Sequence, residues 1–472
     1  MTEARVLAEQ PGATPSRFPL LARAIPVLVG CLLALLLVLL ARRPFRAFDT
    51  YFHLRFGEEF RHGWSIAHPG QLSSASTNDW VPTQWLAQVG LSWVEDVAGT
   101  TGLIVVLAAV AAALTGSLYL LLRRRAGPAS AAVLTAVVVA GWLPSLSLRP
   151  QVLSYLFLVA VVAAWDRARR TGRPPWLLVP LAWVWATCHG MWVLGVGASA
   201  VLAVAVLLER RPLRRASLAL LAVPVAMLLA ALVTPVGPRL LSAVLLVNSR
   251  AEYFHEWRAP ELVTVGALPV TGLLVAAVLL LVRRVGVRPY DVALLGLGGV
   301  FAVYSQRTLP LALIVLACVV AGEARRRAPR VSWAESAGLA ALAALVLVVA
   351  PSQSVLDDSA DDVRRFTTAL DALPAGSVVL TDWPSGSVLL WTEPQLEILL
   401  HGYGDVYTDT ELERYDDLAR LAPGWDVTLA RLAPDAALLP LDDPLAYALA
   451  DRGWSLVQTD GEKPLVLLSP PR

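Results

Sequence analysis

The sequence predicts a mainly α-helical membrane protein with a small α/β domain at its C-terminal end. Three observations carry this expectation. The chain is 56% hydrophobic and 16% charged, with a mean hydropathy of +0.60, which exceeds what a soluble domain needs to fill its core. Eleven apolar runs precede residue 351, and shorter strand-like and helical runs alternate after it. Charge divides at the same point. Residues 351–472 hold 21 acidic and 8 basic side chains, net −13, whereas the first 350 hold 16 and 31, net +15. An acidic soluble segment joined to a basic apolar one reads as two domains. A nucleic-acid partner does not fit, because the Arg clusters sit at the ends of apolar runs and the soluble part is acidic.

Residues 1–20 are polar and read as a cytoplasmic tail, followed by a transmembrane domain over 21–350 and an extracytoplasmic α/β domain over 351–472. The first apolar run, 21–40, is too long for a removed signal peptide and lacks a small-residue cleavage site. A polar loop spans 42–100. The other runs fall near 101–122, 128–144, 152–165, 176–188, 191–208, 216–234, 267–282, 290–304, 308–323 and 332–350. Several are shorter than the roughly 20 residues of a straight span. Cys31, Cys188 and Cys318 all lie in apolar runs, so no disulfide framework is expected.

Arginine clusters at 123–125, 167–173, 210–215, 283–288 and 325–330 occupy every second connection. The positive-inside rule makes these five connections cytoplasmic. The alternation requires turns at Cys188-His189-Gly190 and at Ser305-Gln306-Arg307. It puts the N-terminus inside the cell membrane and the C-terminal domain outside. Arg42, Arg43 and Arg46 disagree, and the later clusters outweigh them. The 42–100 loop, the 235–262 loop, Arg149, Arg307 and all six histidines then collect on the outer face.

The first loop opens with Phe48-Asp49-Thr50-Tyr51-Phe52-His53-Leu54-Arg55-Phe56-Gly57-Glu58-Glu59. Phe52, Phe56 and Phe60 recur every four residues, which predicts a surface helix with its rings in the membrane interface and Asp49 as its N-cap. A second amphipathic helix is expected over 83–96, where Trp85, Val89 and Trp93 share a face, after a Ser/Thr/Asn-rich linker at 73–79. The tryptophans also suit an aromatic belt. Beyond 351, strands are expected at 378–381, 396–401, 436–440, 455–458 and 465–468, with helices at 361–373, 409–421 and 443–452.

Asp49 is the best candidate for a base, with His53 and Arg55 in support. The plainer alternative is a helix cap. Glu58 and Asp79 are possible second acids, although charges on a solvated face are commoner. Arg149 and Arg307 sit between apolar runs with almost no polar loop around them. Such a position is costly unless the charge is paired or faces a wet cavity. A guanidinium fork matches phosphate oxygens; snorkelling is the alternative. His189 lies at the same depth. No zinc motif, paired cysteines or close histidine pair signals a metal.

Together these residues resemble the GT-C membrane glycosyltransferases. The motifs are Asp49–Gly57, Trp85-Leu86-Ala87-Gln88-Val89, Arg149-Pro150-Gln151, His189-Gly190 and Arg307, with Asp382-Trp383-Pro384-Ser385-Gly386 and Asp405-Val406-Tyr407 in the soluble part. They are similar to poorly characterised bacterial members of that superfamily, and more distantly to protein O-mannosyltransferases and oligosaccharyltransferases. The resemblance implies a polyprenyl-phosphate-linked sugar donor in the membrane lipid and transfer to an acceptor on the outer face. It implies Asp49 as the acid that deprotonates or orients the acceptor, and Arg149, His189 and Arg307 as donor-phosphate ligands. Oligosaccharyltransferases carry an Asp-x-Asp in this loop and use a divalent metal; here position 51 is Tyr, so a divalent metal stays open as an alternative and no ligand set is assigned. The rival expectation is a non-enzymatic lipid or polysaccharide transporter, or an assembly partner. No repeat and no mid-span acid support it.

Overall fold

The computed structural model describes residues 47–210, 215–250, 253–323, 360–459 and 465–471, with scattered positions at 30, 33 and between 333 and 348. The 21–40 and 332–350 runs, Arg42, Arg43, Arg46 and the 325–330 cluster otherwise lie outside the described residues. Helices dominate. They are α1 (Asp49–Arg61), α2 (Trp85–Arg123), α3 (Pro128–Trp142), α4 (Gln151–Thr171), α5 (Leu178–Cys188), α6 (Trp192–Glu209), α7 (Arg215–Leu232), α8 (Arg239–Ser249), α9 (Leu268–Val282), α10 (Pro289–Tyr304) and α11 (Leu309–Glu323). Among the described residues five helical stretches are long and apolar enough to cross a membrane, beginning at Trp85, Pro128, Gln151, Trp192 and Val265. Four shorter apolar helices accompany them. The chain is a multi-pass membrane protein, and the expected count of eleven spans rests partly on runs that are not described.

Local chemistry sets the helix ends. Pro enters the first turn of α3, α9 and α10, where its missing N–H costs nothing. Gly172 closes α4 in the left-handed region at φ 77. The chain turns at His189 between α5 and α6, and at Ser305–Thr308 between α10 and α11. At the latter, Ser305 and Thr308 form a reciprocal capping box. The arginine-rich connections meet at the far end of the bundle. There Arg125 and Arg170 pair with Asp166, Arg169 with Glu209 at 2.6 Å, and Arg284 with Asp291 at 2.9 Å.

The first loop departs from expectation in three ways. The second surface helix is continuous with the first described span as α2, broken only at Gly99, whose φ of 57 needs glycine. Asp49 is the first helical residue of α1, not its cap. Phe48 holds the cap position in helical geometry, and no side chain caps the helix. Phe52, Phe56 and Phe60 are buried rather than immersed in a membrane interface. Their rings pack with Trp64, Trp80 and Tyr403: Phe52 stacks on Tyr403 at 5.0 Å, and Phe56 meets Trp80 edge-on at 5.2 Å. The stripe reads as interfacial because the sequence gives no sign that a domain 350 residues later covers it.

That domain is built on a five-stranded sheet of order β2-β1-β3-β5-β4, with β1 (Val378–Thr381), β2 (Glu397–Ile398), β3 (Ala436–Pro440), β4 (Ser455–Thr459) and β5 (Leu465–Ser469). β2, β1 and β3 are parallel; β5 and β4 are antiparallel additions. The expected strand at 396–401 shrinks to β2, although the Leu399 N–H still donates to the Val379 carbonyl at 3.1 Å. The expected helix over 361–373 is two short ones, α12 (Asp361–Arg364) and α13 (Thr367–Asp371). α14 (Trp383–Thr392), opened by Asp382 accepting from the Ser385 N–H, was not anticipated. α14 lies against α1. The 73–79 linker docks here too. Glu397 accepts from the Ser74 N–H at 2.8 Å, Glu411 from Thr77 Oγ1 at 2.8 Å, and the Asp405 carbonyl from Asn78 Nδ2 at 2.7 Å.

α1 also packs closely on α2. A Cβ on Gly57 would stand 2.1 Å from the Gln88 carbonyl oxygen, which is backbone and has no freedom to retreat. Gly57→Ala is therefore expected to destabilise the protein by at least about 1–3 kcal/mol, the usual overpacking cost. Thermal unfolding in detergent checks this, with Gly90→Ala, where an added Cβ meets nothing within 4 Å, as the control that should change little.

Candidate active site

The α1 start, the loop before α4, the α5–α6 turn, the α10–α11 turn and a loop of the C-terminal domain converge on one polar cavity of about 460 Å³. Asp49, His53, Arg149, His189 and Arg307 all line it, beside Phe52, Trp257 and the Gly402–Asp405 segment. Hydrogen bonds hold the backbone in place. Thr50 Oγ1 donates to the Leu148 carbonyl at 3.2 Å, which ties the start of α1 to the Arg149 loop. Arg250 Nη1 donates to the Gly404 carbonyl at 3.1 Å. Gly402 fits closely: a Cβ there would lie 2.9 Å from Ser387 Oγ and 3.2 Å from the Phe52 ring.

A line of alternating charge runs through one wall. The Asp49 carboxylate pairs with Arg149 Nη2. Arg149 then grips Glu256 as a fork, Nη1 to Oε1 and Nη2 to Oε2, both at 2.9 Å. Glu256 Oε2 accepts from Arg307 Nε at 2.8 Å, and the Arg307 guanidinium lies 5.5 Å from the Trp257 ring centre. Burial alone would raise the Glu256 carboxyl; Arg307 and Arg149 outweigh it and hold the group well below the usual carboxylate range. Asp405 behaves oppositely: burial raises its carboxyl, against the pull of Arg250 and Arg307.

A second cavity of about 930 Å³ adjoins the first. Met191, Val193, Leu194, Ala243 and Val244 make it largely apolar, while His189, Arg307 and Asp405 mark its polar end. A third, lined by Arg149, Glu256, Arg258 and Arg307, shares both arginines with the first.

Two solved structures share this architecture. One is the oligosaccharyltransferase of Archaeoglobus fulgidus, tethered to an acceptor peptide containing the NVT sequon, at a TM-score of 0.50 and 12% identity over 90% of this chain and 70% of that one. The other is ArnT from Cupriavidus metallidurans bound to undecaprenyl phosphate, at a TM-score of 0.50 and 14% identity over 97% of this chain and 100% of that one. The chain has the GT-C fold. No family model and no curated protein matches its sequence.

Within this GT-C fold, other residues singled out from the sequence lie apart from the cavity. Arg55 pairs with Glu58 at 2.9 Å and Glu59 at 2.7 Å along the partly exposed side of α1. Glu58 is thus one of the solvated-face charges. Asp79 is 75% exposed at its side chain and pairs with Arg239 at 2.6 Å. Among the described residues no three His, Cys, Asp or Glu side chains gather as a metal site. Sequence reasoning passed over Glu256, Trp257, Tyr403 and Asp405. The first two had a signal: Phe254-His255-Glu256-Trp257-Arg258 is as dense in ionisable and aromatic residues as the stretch around Asp49. In the sequence, Asp405 stands out only as part of Asp405-Val406-Tyr407.

The histidines of this cavity are neutral. Burial, then Arg307 and Arg149, push His189 down to about 3. Burial, then Arg149, His189 and Arg307, hold His53 well below its ordinary value. His189 Nδ1 accepts from the Met191 N–H at 3.3 Å, so its ring proton is on Nε2 and the ring is a hydrogen-bond donor at that atom. His401, in the adjoining domain, is pushed down to about 3 by burial. All three rings bind protons more readily when unfolded. Stability is therefore full above the ordinary histidine range and is lost as pH falls from about 6.5, by up to about 1.4 kcal/mol per unit for each ring. Unfolding midpoints measured from about pH 7.5 to pH 5 are expected to fall on acidification; a flat profile would mean that the rings protonate in place.

Proposed function

We propose that this protein is a membrane glycosyltransferase that moves a sugar from a polyprenyl-phosphate-linked donor to an acceptor on the outer face of the membrane. The observation that carries the reading is the meeting of Asp49, Arg149, His189 and Arg307, from four separate parts of the chain, around one cavity. The GT-C fold supports it, and so does the apolar cavity whose polar end is His189 and Arg307. That shape suits a lipid chain ending in a phosphate. One solved neighbour holds undecaprenyl phosphate and the other an acceptor peptide.

In this reading the acceptor's nucleophilic atom attacks the anomeric carbon of the donor sugar as the bond from that carbon to the phosphate oxygen breaks. Charge develops on the departing phosphate. Arg307 and the Nε2 proton of His189 stabilise it, held in place before the charge develops. Asp49 takes the proton that the acceptor loses, with Arg149 holding its carboxylate in line. Trp257, which lines the cavity, offers the sugar an aromatic surface.

Transfer from an undecaprenyl-phosphate sugar in proteoliposomes tests this. Asp49→Asn is expected to lower the rate by about 10²–10⁴, the scale of general acid–base catalysis, with the fold retained. Arg307→Lys is expected to weaken donor binding because a point charge does not replace a fork. A donor that binds and is never transferred would favour a carrier instead. For orientation, a reporter fused after Arg472 that works only outside the cytoplasm is expected to be active; a cytoplasmic signal would invert the topology.

A further inference from the structure

Glu256 is the residue on which the two arginines depend. It sits on the short turn His255–Trp257, and the Gln306 N–H donates to the Arg258 carbonyl at 3.0 Å, pinning that turn to the α10–α11 connection that carries Arg307. Its carboxylate takes both Nη groups of Arg149 and the Nε of Arg307. These contacts come from behind. Arg149 and Arg307 line both the reaction cavity and the third cavity, whereas Glu256 lines only the third.

The two arginines are left in different states. A guanidinium has five N–H donors. Arg149 spends both Nη groups on Glu256 and also meets Asp49. Among the described residues the protein's hydrogen bond to Arg307 is at Nε alone, which leaves its two Nη groups for an occupant of the cavities it lines. Arg307 is therefore the ligand and Arg149 the link. We infer that Glu256 is a positioning residue: with Arg149 it forms a strut, Asp49–Arg149–Glu256–Arg307, that fixes the distance between the carboxylate acting on the acceptor and the guanidinium receiving the donor phosphate. This rests on the reading of the cavity as a donor-phosphate site.

The opposite role is physically possible for such a carboxylate. An anion on two arginines can be a competitor that the phosphate must evict. The two roles differ in sign. A strut lost leaves Arg307 free to rotate, so phosphate binding weakens; a competitor lost makes it tighten. The test is undecaprenyl phosphate binding to the full chain in nanodiscs, together with kcat and KM for transfer, in the wild type, Glu256→Gln and Glu256→Asp. Gln keeps the shape and one acceptor oxygen but loses the charge; Asp keeps the charge and shortens the reach.

The strut predicts that Glu256→Gln weakens binding about tenfold, the worth of one charge-assisted hydrogen bond. It also predicts a fall in kcat at saturating donor, because base and phosphate ligand lose their spacing, with Glu256→Asp intermediate. Adding Arg307→Lys to Glu256→Gln is expected to cost less than the two single losses combined, since both act through one contact. Tighter or unchanged binding in folded Glu256→Gln overturns the strut. So does a purely stabilising role, in which unfolding midpoints drop while Kd, kcat and KM of the folded variant stay at wild-type values. If wild type and every folded variant fail to bind undecaprenyl phosphate, the donor reading falls and the strut with it; wild-type binding without the Glu256 effect removes the strut alone.

Discussion

Two guanidinium groups at the edge of a membrane bundle set the constraint on everything around them. Neither is tolerated there without counter-charge. Asp49 and Glu256 supply two negative charges against two positive ones, and the buried His53 and His189 add none. The cluster is therefore balanced before any ligand arrives. Balance alone would make it inert. The uneven sharing of donors, with both Nη groups of Arg149 on carboxylates and Arg307 held at Nε, keeps one cation available to an incoming anion.

The C-terminal domain is part of this arrangement. Its Gly402–Asp405 segment forms a wall of the cavity, and Tyr403 fills the space between the α1 aromatic rings and Trp80. Glu397, Glu411 and the Asp405 carbonyl clamp the 73–79 linker, so the first loop is held from both sides. Asp49 owes its position to that pressure as much as to α1. An N-terminal helix free to lie on a membrane would not keep a carboxylate beside Arg149.

How far the sequence was legible follows from how local each signal was. The apolar runs between 101 and 323 are helices near the expected places, because composition over one segment decides them. The turns at His189 and Ser305–Arg307 were readable from charge alternation. Asp49, Arg149, His189 and Arg307 stood out because each is polar where the chain is otherwise apolar. Their meeting is a long-range fact that no single window carries. The failures are of the same kind. The Phe52, Phe56 and Phe60 stripe is amphipathic whether it faces lipid or a domain, so its partner was misjudged. Glu256 looked like one more loop acid, since its importance comes from two arginines that lie over 50 residues away on either side of it.

One regularity joins the site residues to the fold. Arg149 precedes α4 after a short turn, His189 separates α5 from α6, Arg307 separates α10 from α11, and Glu256 sits on a turn of its own. These four lie where an α-helix has stopped, whereas Asp49 and His53 belong to α1 itself. Helical backbone satisfies its own hydrogen bonds and points side chains outward along a cylinder. A break exposes N–H and C=O groups that lipid does not satisfy, so irregular backbone persists only where protein covers it or a wet cavity receives it. Here both conditions are met at one end of the bundle, by the C-terminal domain above and the cavities between. Breaks, cover and charged side chains thus require one another. The breaks aim the arginines inward, the cavity hydrates and pairs them, and the domain seals backbone that would otherwise face lipid.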